Sequence, residues 1–405
     1  MTGKIISNRQ QKNHSFRSFI SGRNAETIQL PAVKKHGLDY PLLIAVILIC
    51  AFGIVMLFSA SYYYAELTQG DGLHYVRTQS IFLFFGLIGM LLLSHVPYTF
   101  YSNKWVALSL YAALIVSLLA VKLVGVELQG SKRWLSLGFT TVQPSEFSKI
   151  ILTICMGGYA AKHVKDIHSF SRGLLPMLLM VAVPVVFIYM QPNLWMLLIL
   201  MINFLIFAFV CGCDWRWLLG MCIVGTGAVV IYLLLKGNYQ SQRFFLATMS
   251  WEELQELSGN ESFQIVQSLY AFANGGLFGQ GFDASRQKLL FLPYRESDYI
   301  LPIIAEELGF VAVLLLLAAY FFIIYRGLRI ASNCKERFGS LLAVGISTAI
   351  GVQVFINAAV VSNLLPATGQ TLPFISSGGT SLFAYLVSVG ILLNVSRYTE
   401  RNKAN

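Results

Sequence analysis

Charge is what this 405-residue chain has least of: Asp, Glu, Lys and Arg together make up 12 % of it, against 56 % apolar residues. So few charges cannot cover a soluble surface, and the mean hydropathy of +0.66 places the chain outside the soluble globular class. Cysteine is scarce as well. The six, at positions 50, 155, 211, 213, 222 and 334, fall in apolar runs or in segments read below as cytoplasmic, which excludes a disulfide framework. Cys211 and Cys213 form a C-x-C without histidine partners, for which membrane packing is the simpler reading. Histidines 74, 95, 163 and 168 are scattered and suggest no metal cage. No G-x-x-x-x-G-K-[ST] spacing exists for a nucleotide loop. No Ser-His-Asp arrangement can be defended, and no inverted repeat of the transporter kind is visible. A cleavable signal peptide is not seen, because the first apolar run begins after about 40 polar residues.

What the chain has in abundance is the long apolar run. About 20 such residues cross roughly 30 Å of hydrocarbon. Ten stretches qualify, near 41–61, 80–96, 105–125, 145–161, 174–190, 194–211, 217–235, 300–325, 340–362 and 379–396. At this length only helices satisfy every backbone polar group in lipid. The expected fold is therefore all-α, a polytopic membrane bundle of about ten transmembrane helices with one long extracytoplasmic loop, 236–300. Residues 1–38 read as a disordered basic tail, 39–397 as one membrane domain, and 398–405 as a second short tail. With the N-terminus inside, 19 Lys and Arg lie in cytoplasmic segments. Eight lie opposite: Arg77, Lys132, Arg133, Lys236, Arg243, Arg286, Lys288 and Arg295. The positive-inside rule then puts both termini in the cytoplasm. The net charge of +10 becomes an orientation signal with affinity for anionic membrane lipid. Nucleic acid is set aside as a partner, since the cations are spread over loops rather than gathered on one face.

The long loop reads as a short helix around Trp251–Leu257, an amphipathic segment near Phe263–Ala273, and a turn rich in glycine (Gly275, Gly276, Gly279, Gly281). Gln267, Gln287, Lys288, Arg295 and Glu296 follow the same stretch toward Asp298, which stands where the chain re-enters the bilayer. An acid there either caps the helix starting near Tyr299 or does chemistry on a lipid-linked substrate. Glu306 and Glu307 lie about 12–13 Å further along that helix. Two adjacent acids in a span call for a buried partner or an aqueous cavity; a structural ion pair with Lys149 or Arg133 is the expected reading, and a direct chemical role is the alternative. Gln143-Pro144-Ser145-Glu146 opens the fourth span, where Glu146 and Lys149 are spaced to pair. Lys132-Arg133-Trp134 is either an interfacial anchor or a diphosphate site using the bidentate hydrogen bonds of Arg, which Arg243 and Lys288 extend. Asn363–Ser377 is uncharged and punctuated by Pro366, Gly369 and Pro373; such backbone at membrane depth must be buried in protein or line a cavity. Gly378-Gly379 reads as close helix packing.

Eight markers occur in order: FSAS (58–61), GSKRW (130–134), QPSEFSK (143–149), QSLYAFANGGLFGQGF (267–282), RQKLLFLP (286–293), ESDYI (296–300), AEELGF (305–310) and LPFISSGGTS (372–381). Over roughly 40–397 the chain resembles the SEDS family (shape, elongation, division and sporulation), and the K-R-W and S-R-Q-K wording is closer to its division and sporulation branch (FtsW, SpoVE) than to RodA. The resemblance implies a glycosyltransferase of the bacterial cytoplasmic membrane that polymerises peptidoglycan from lipid II and releases undecaprenyl diphosphate. It implies Asp298 as the catalytic carboxylate, with Arg133, Arg243, Lys288, Gln267 and Gln287 toward substrate. Glu146, Lys149, Glu306, Glu307, Ser376, Gly378 and Gly379 are then structural or channel-lining. No cofactor is demanded; a divalent cation (Mg or Mn) is the alternative to protein cations at the leaving diphosphate, with no metal ligands identified. The implied partners are a class B penicillin-binding protein transpeptidase and proteins of the divisome or of sporulation. The chain departs from the family pattern at Asn193, where an acid is usual, at Tyr294, Arg295 and Glu296, and at Ser377. A lipid II flippase, or a scaffold without activity, is the competing reading.

Overall fold

Each of the ten apolar runs forms a helix in the computed structural model, which describes residues 37–399 except 129–130, 137, 139, 192, 236–245, 247–248, 250, 257–259 and 368. Nearly all of the expected N-terminal tail and Arg243 lie outside the described residues. The first helices are α1 (Tyr40–Gln69), α2 (His74–Leu93) and α3 (Lys104–Val124). A small antiparallel sheet follows, β1 (Val126–Leu128), β2 (Ser131–Ser136) and β3 (Thr141–Val142), in the order β1-β2-β3. Next come α4 (Ser148–Lys162), α5 (Leu175–Tyr189), α6 (Leu194–Cys211) and α7 (Trp215–Leu235). The long loop carries α8 (Trp251–Glu256) and α9 (Asn260–Gly275), and the bundle closes with α10 (Ile300–Asn333), α11 (Arg337–Val361) and α12 (Gly379–Ser396). Among the described residues eight helices are long and apolar enough to cross a membrane unaided. Of the other two expected spans, α4 has 15 residues and is lengthened by the 3-10 turn Pro144–Phe147, and α7 occupies the seventh.

The helix ends follow local chemistry. The Asp39 side chain accepts from the Leu42 N–H (3.0 Å) to cap α1, and Gly70 ends that helix in the left-handed region. At the start of α6 the Asn193 side chain accepts from the Met196 N–H (3.3 Å). An amide oxygen therefore does there what an aspartate would, since Asn and Asp are near-equal caps.

The innermost helices are α11 and α12, with α12 laid along α2, and α11 packed on α10, α4 and α6. A Cβ on Gly390 of α12 would stand 2.6 Å from the Met90 carbonyl oxygen, so only a residue without a side chain permits that approach. One end of the bundle is clamped by Arg326 on Asp39 (2.5 Å) and by Asn394, which accepts from the Tyr98 N–H (2.7 Å) and donates to the Ser94 carbonyl (2.9 Å). The other end carries the sheet, the long loop and the 363–377 segment.

The helix α10 is broken at Gly309, whose φ of 82° and ψ of 176° leave the helical region. The freed backbone groups are taken up by the glycine turn. Gln280 and Gly281 donate to the carbonyls of Glu306 and Glu307 (2.9 Å each), while Phe310 and Val311 donate to those of Gly276 (2.9 Å) and Leu277 (3.2 Å). A Cβ on Gly279 would sit 2.2 Å from the Glu307 carbonyl oxygen, so the contact is backbone against backbone.

Candidate functional site

Asp298 is partly exposed, immediately before the cap position of α10, which Tyr299 occupies. The backbone of residues 296–298 is held at three successive carbonyls. The Glu296 carbonyl accepts from the Ser377 N–H (2.8 Å), the Ser297 carbonyl from the Ser376 hydroxyl (2.6 Å), and the Asp298 carbonyl from the Asn357 amide (2.9 Å). Asn357 and Gln353 on α11 also bind the Gln370 carbonyl (2.8 Å) and the Thr371 carbonyl (3.1 Å), tying the clamp to the bundle. From α2, Gln79 donates to the Ser376 carbonyl (2.9 Å) and accepts from the Gly378 N–H (3.2 Å). A Cβ on Gly369 (φ 69°) would come within 3.4 Å of Asp298 Oδ2, so the carboxylate lies beside bare backbone. Much of the uncharged Asn363–Ser377 segment is thus buried, with Gln370, Leu372, Phe374, Ile375 and Ser376 all enclosed while Leu364 and Gly369 stay exposed, and its polar atoms seat the backbone of 296–298. Gly379 packs flat on Phe82, where a Cβ would meet the ring at 2.1 Å.

Two ionic networks lie deeper. Glu306 accepts from the Asn274 amide (3.2 Å), the Gln287 N–H (3.1 Å) and the Ser285 hydroxyl. Glu307 accepts from Ser59 on α1 (2.6 Å) and from Lys288 (2.9 Å), which also donates to Ser59 (2.9 Å) and pairs with Asp283. Lys288, Glu306 and Glu307 are all buried. The partner expected for these acids was Lys149 or Arg133; for Glu307 it is Lys288, whereas Glu306 is held by neutral donors, and the burial of Lys288 in this pair turns it into the bundle, away from the substrate-facing role expected of it. Gln287 is likewise buried, its N–H committed to Glu306. Lys149 is engaged elsewhere, with Glu146 (2.8 Å) and the Tyr385 hydroxyl (2.9 Å), in a small cavity also lined by Thr153 and Ser388. Arg133 is partly exposed on β2 and donates through Nε to the Gln191 carbonyl (3.3 Å). Gln267 is partly buried on α9. Among the described residues no group of three His, Cys, Asp or Glu could hold a metal ion.

Arg295 and Glu296, polar neighbours of Asp298 in the sequence to which no site role was given, are both buried next to it. The α1 helix runs to Gln69, past the expected end at 61, and this brings Tyr64 under the Arg295 guanidinium at 4.6 Å. Burial pulls the Arg295 guanidinium below its ordinary value, opposed by Glu296 and by Tyr64 and Tyr75. Burial raises the Glu296 carboxyl. Nothing local in the sequence announces this contact, which depends on the length of α1.

Fold and site together define a polytopic membrane protein with a carboxylate-centred site clamped at one end of its bundle. The family profile FtsW/RodA/SpoVE, described as cell cycle protein, matches residues 40–401. Stage V sporulation protein E of Bacillus subtilis is 35 % identical over 366 residues, covering 90 % of this chain and 99 % of its own. The probable peptidoglycan glycosyltransferase FtsW of Geobacter metallireducens is 35 % identical over 355 residues, covering 88 % and 93 %. Among solved structures, a chain from a peptidoglycan synthase complex that coordinates polymerization and crosslinking superposes with a TM-score of 0.73 at 26 % identity, covering 89 % of this chain and 98 % of that one. The rod shape determining protein RodA of Thermus thermophilus superposes with a TM-score of 0.65 at 27 % identity, covering 90 % and 98 %. The chain belongs to the FtsW/RodA/SpoVE family.

Proposed function

We infer that the chain is a peptidoglycan glycosyltransferase of cell-wall synthesis, polymerising lipid II, and that Asp298 is its general base. The observation that carries the residue assignment is the partly exposed Asp298 on a backbone clamped at the carbonyls of 296, 297 and 298 by two other elements. A base must be held in place to act in the transition state. In the proposed step Asp298 takes the proton from the 4-hydroxyl of one disaccharide as that oxygen bonds to the anomeric carbon of another. The bond from that carbon to the diphosphate breaks, undecaprenyl diphosphate departs, and configuration inverts. Arg133, partly exposed on β2, and Arg243 are the cations proposed to face the departing diphosphate. A Mg or Mn ion at the leaving diphosphate would need only one or two carboxylates of the chain beside the diphosphate oxygens and would supply positive charge to the leaving group.

Membership of this family and the charge distribution support placement in the bacterial cytoplasmic membrane with both termini inside and Asp298 outside. A transpeptidase partner of the class B penicillin-binding type is proposed from the likeness to a peptidoglycan synthase complex. The transporter reading loses its support from the buried acids: Glu306, Glu307 and Glu146 are each bound to neighbours within the protein. Reconstitution of the purified chain in proteoliposomes with labelled lipid II, with and without the transpeptidase, decides among the readings. Glycan polymer is the expected product. Movement of lipid II between leaflets with no new glycosidic bond would instead show a transporter, and neither activity a scaffold.

A further inference from the structure

Between the glycine turn and Asp298 the loop is turned inside out for a segment in water. Leu277, Phe278, Phe282, Leu289, Leu290 and Phe291 point outward, Phe278 with 80 % of its surface exposed, while Ser285, Gln287 and Lys288 are buried against the bundle. Contiguous apolar surface of this kind marks something that covers it. Its height along α10 says what. At the opposite end Arg326 is ion-paired to Asp39, which sets a polar limit to the span. From Arg326 back to Phe310 is 16 residues, about 24 Å of helix, less than the roughly 30 Å of a hydrocarbon core. Phe310 and Val311 hydrogen-bond to the carbonyls of Gly276 and Leu277, so this part of the loop lies at the level where α10 is still within lipid. It is continuous there with Phe310, Val311 and Leu314, exposed on the face of α10 that a bilayer must cover. Part of the backbone of the stretch is satisfied internally, which lowers the cost of seating it at the edge of lipid: Gly279 donates to Gly275 (2.7 Å), Ala284 to Gly281 (3.1 Å) and Leu289 to Arg286 (3.0 Å). Asp283 and Arg286, also exposed, suit the headgroup layer just above.

We propose that residues 277–291 form a rim seated in the leaflet on the Asp298 side, its Phe and Leu side chains among the lipid chains. The rim sets a waterline for the site. Asp298 stands beyond the helical stretch 300–308, about 12 Å of helix above the break at Gly309, clear of hydrocarbon and over a space of headgroup size. This claim concerns lipid contact alone and does not depend on which reaction Asp298 performs.

The test uses the full chain in lipid nanodiscs. Phe278→Cys and Phe282→Cys are labelled with a membrane-impermeant maleimide, with Glu252→Cys, at an exposed position of α8, as the aqueous reference and the wild-type chain as background. Labelling at least ten-fold slower at 278 and 282 than at 252 is expected. Equal rates overturn the proposal, as do rates that fall only when a transpeptidase is added, which would assign the surface to a protein. Independently of any variant, the wild-type chain in nanodiscs containing a photoactivatable acyl chain should crosslink within the peptide spanning 276–294. No crosslink there overturns it as well.

Discussion

At Lys288 a buried cation of the loop is turned toward the bundle, where Ser59 and Glu307 receive it from two different helices. Removing one partner of a buried pair leaves the other charge unpaired, which destabilises by about 3–5 kcal/mol, whereas replacing both with apolar groups is often near neutral. Lys288→Met and Glu307→Gln should each lower the melting temperature of the purified protein markedly. The double variant Lys288→Met with Glu307→Met should melt closer to wild type than either. Additive losses would mean that the two side chains do not depend on each other. Glu296 gives a pH signature. Its carboxyl lies above the ordinary 4.5 because burial disfavours the anion, so the folded chain holds this proton more tightly than the unfolded one. The stability it contributes is complete below the unfolded value and is lost as pH rises through the folded value. Relative to wild type, Glu296→Gln should flatten the fall in melting temperature from about pH 4.5 upward; an unchanged slope would reject this. The residue types at these positions are plain in the sequence. The pairing is not, because Lys288 reaches Glu307 only once the loop folds back along α10.

Elements were more legible than contacts. Runs of about 20 apolar residues have few alternatives in lipid, and all ten expected spans are helices. The loop helices expected near 251–257 and 263–273 form as α8 and α9, with ends shifted by a few residues. Two features escaped. The β1–β3 sheet is built from strands of three, six and two residues, too short for alternation to register. The break in α10 lies inside AEELGF, where apolar residues continue on both sides of Gly309 and only the docked glycine turn explains it. Gly309→Ala and Gly279→Ala should both destabilise the protein, since a Cβ would stand 2.4 Å and 2.2 Å from the nearest backbone atom of the opposing segment. Gly225→Ala on α7, with nothing within 4 Å, should be neutral. Melting temperatures decide this, and three equal values would deny that the turn and the break interlock.

At the scale of the whole molecule, α11 and α12 form an enclosed pillar, one end locked by Asp39, Arg326 and Asn394. The other end presents Asp298 on a platform assembled from α2, α11 and residues 363–377. The acid's position just ahead of an apolar helix was readable from sequence. The platform was not, because Gln79 and Ser376, bonded in it, lie 297 positions apart. The most direct test of the account is glycan synthesis by Asp298→Asn, reconstituted with labelled lipid II after its melting temperature has been matched to wild type. Loss of a general base predicts a rate lower by about 10²–10⁴-fold with the fold intact. Polymer made at the wild-type rate by that variant would contradict the assignment of Asp298 and the mechanism built on it.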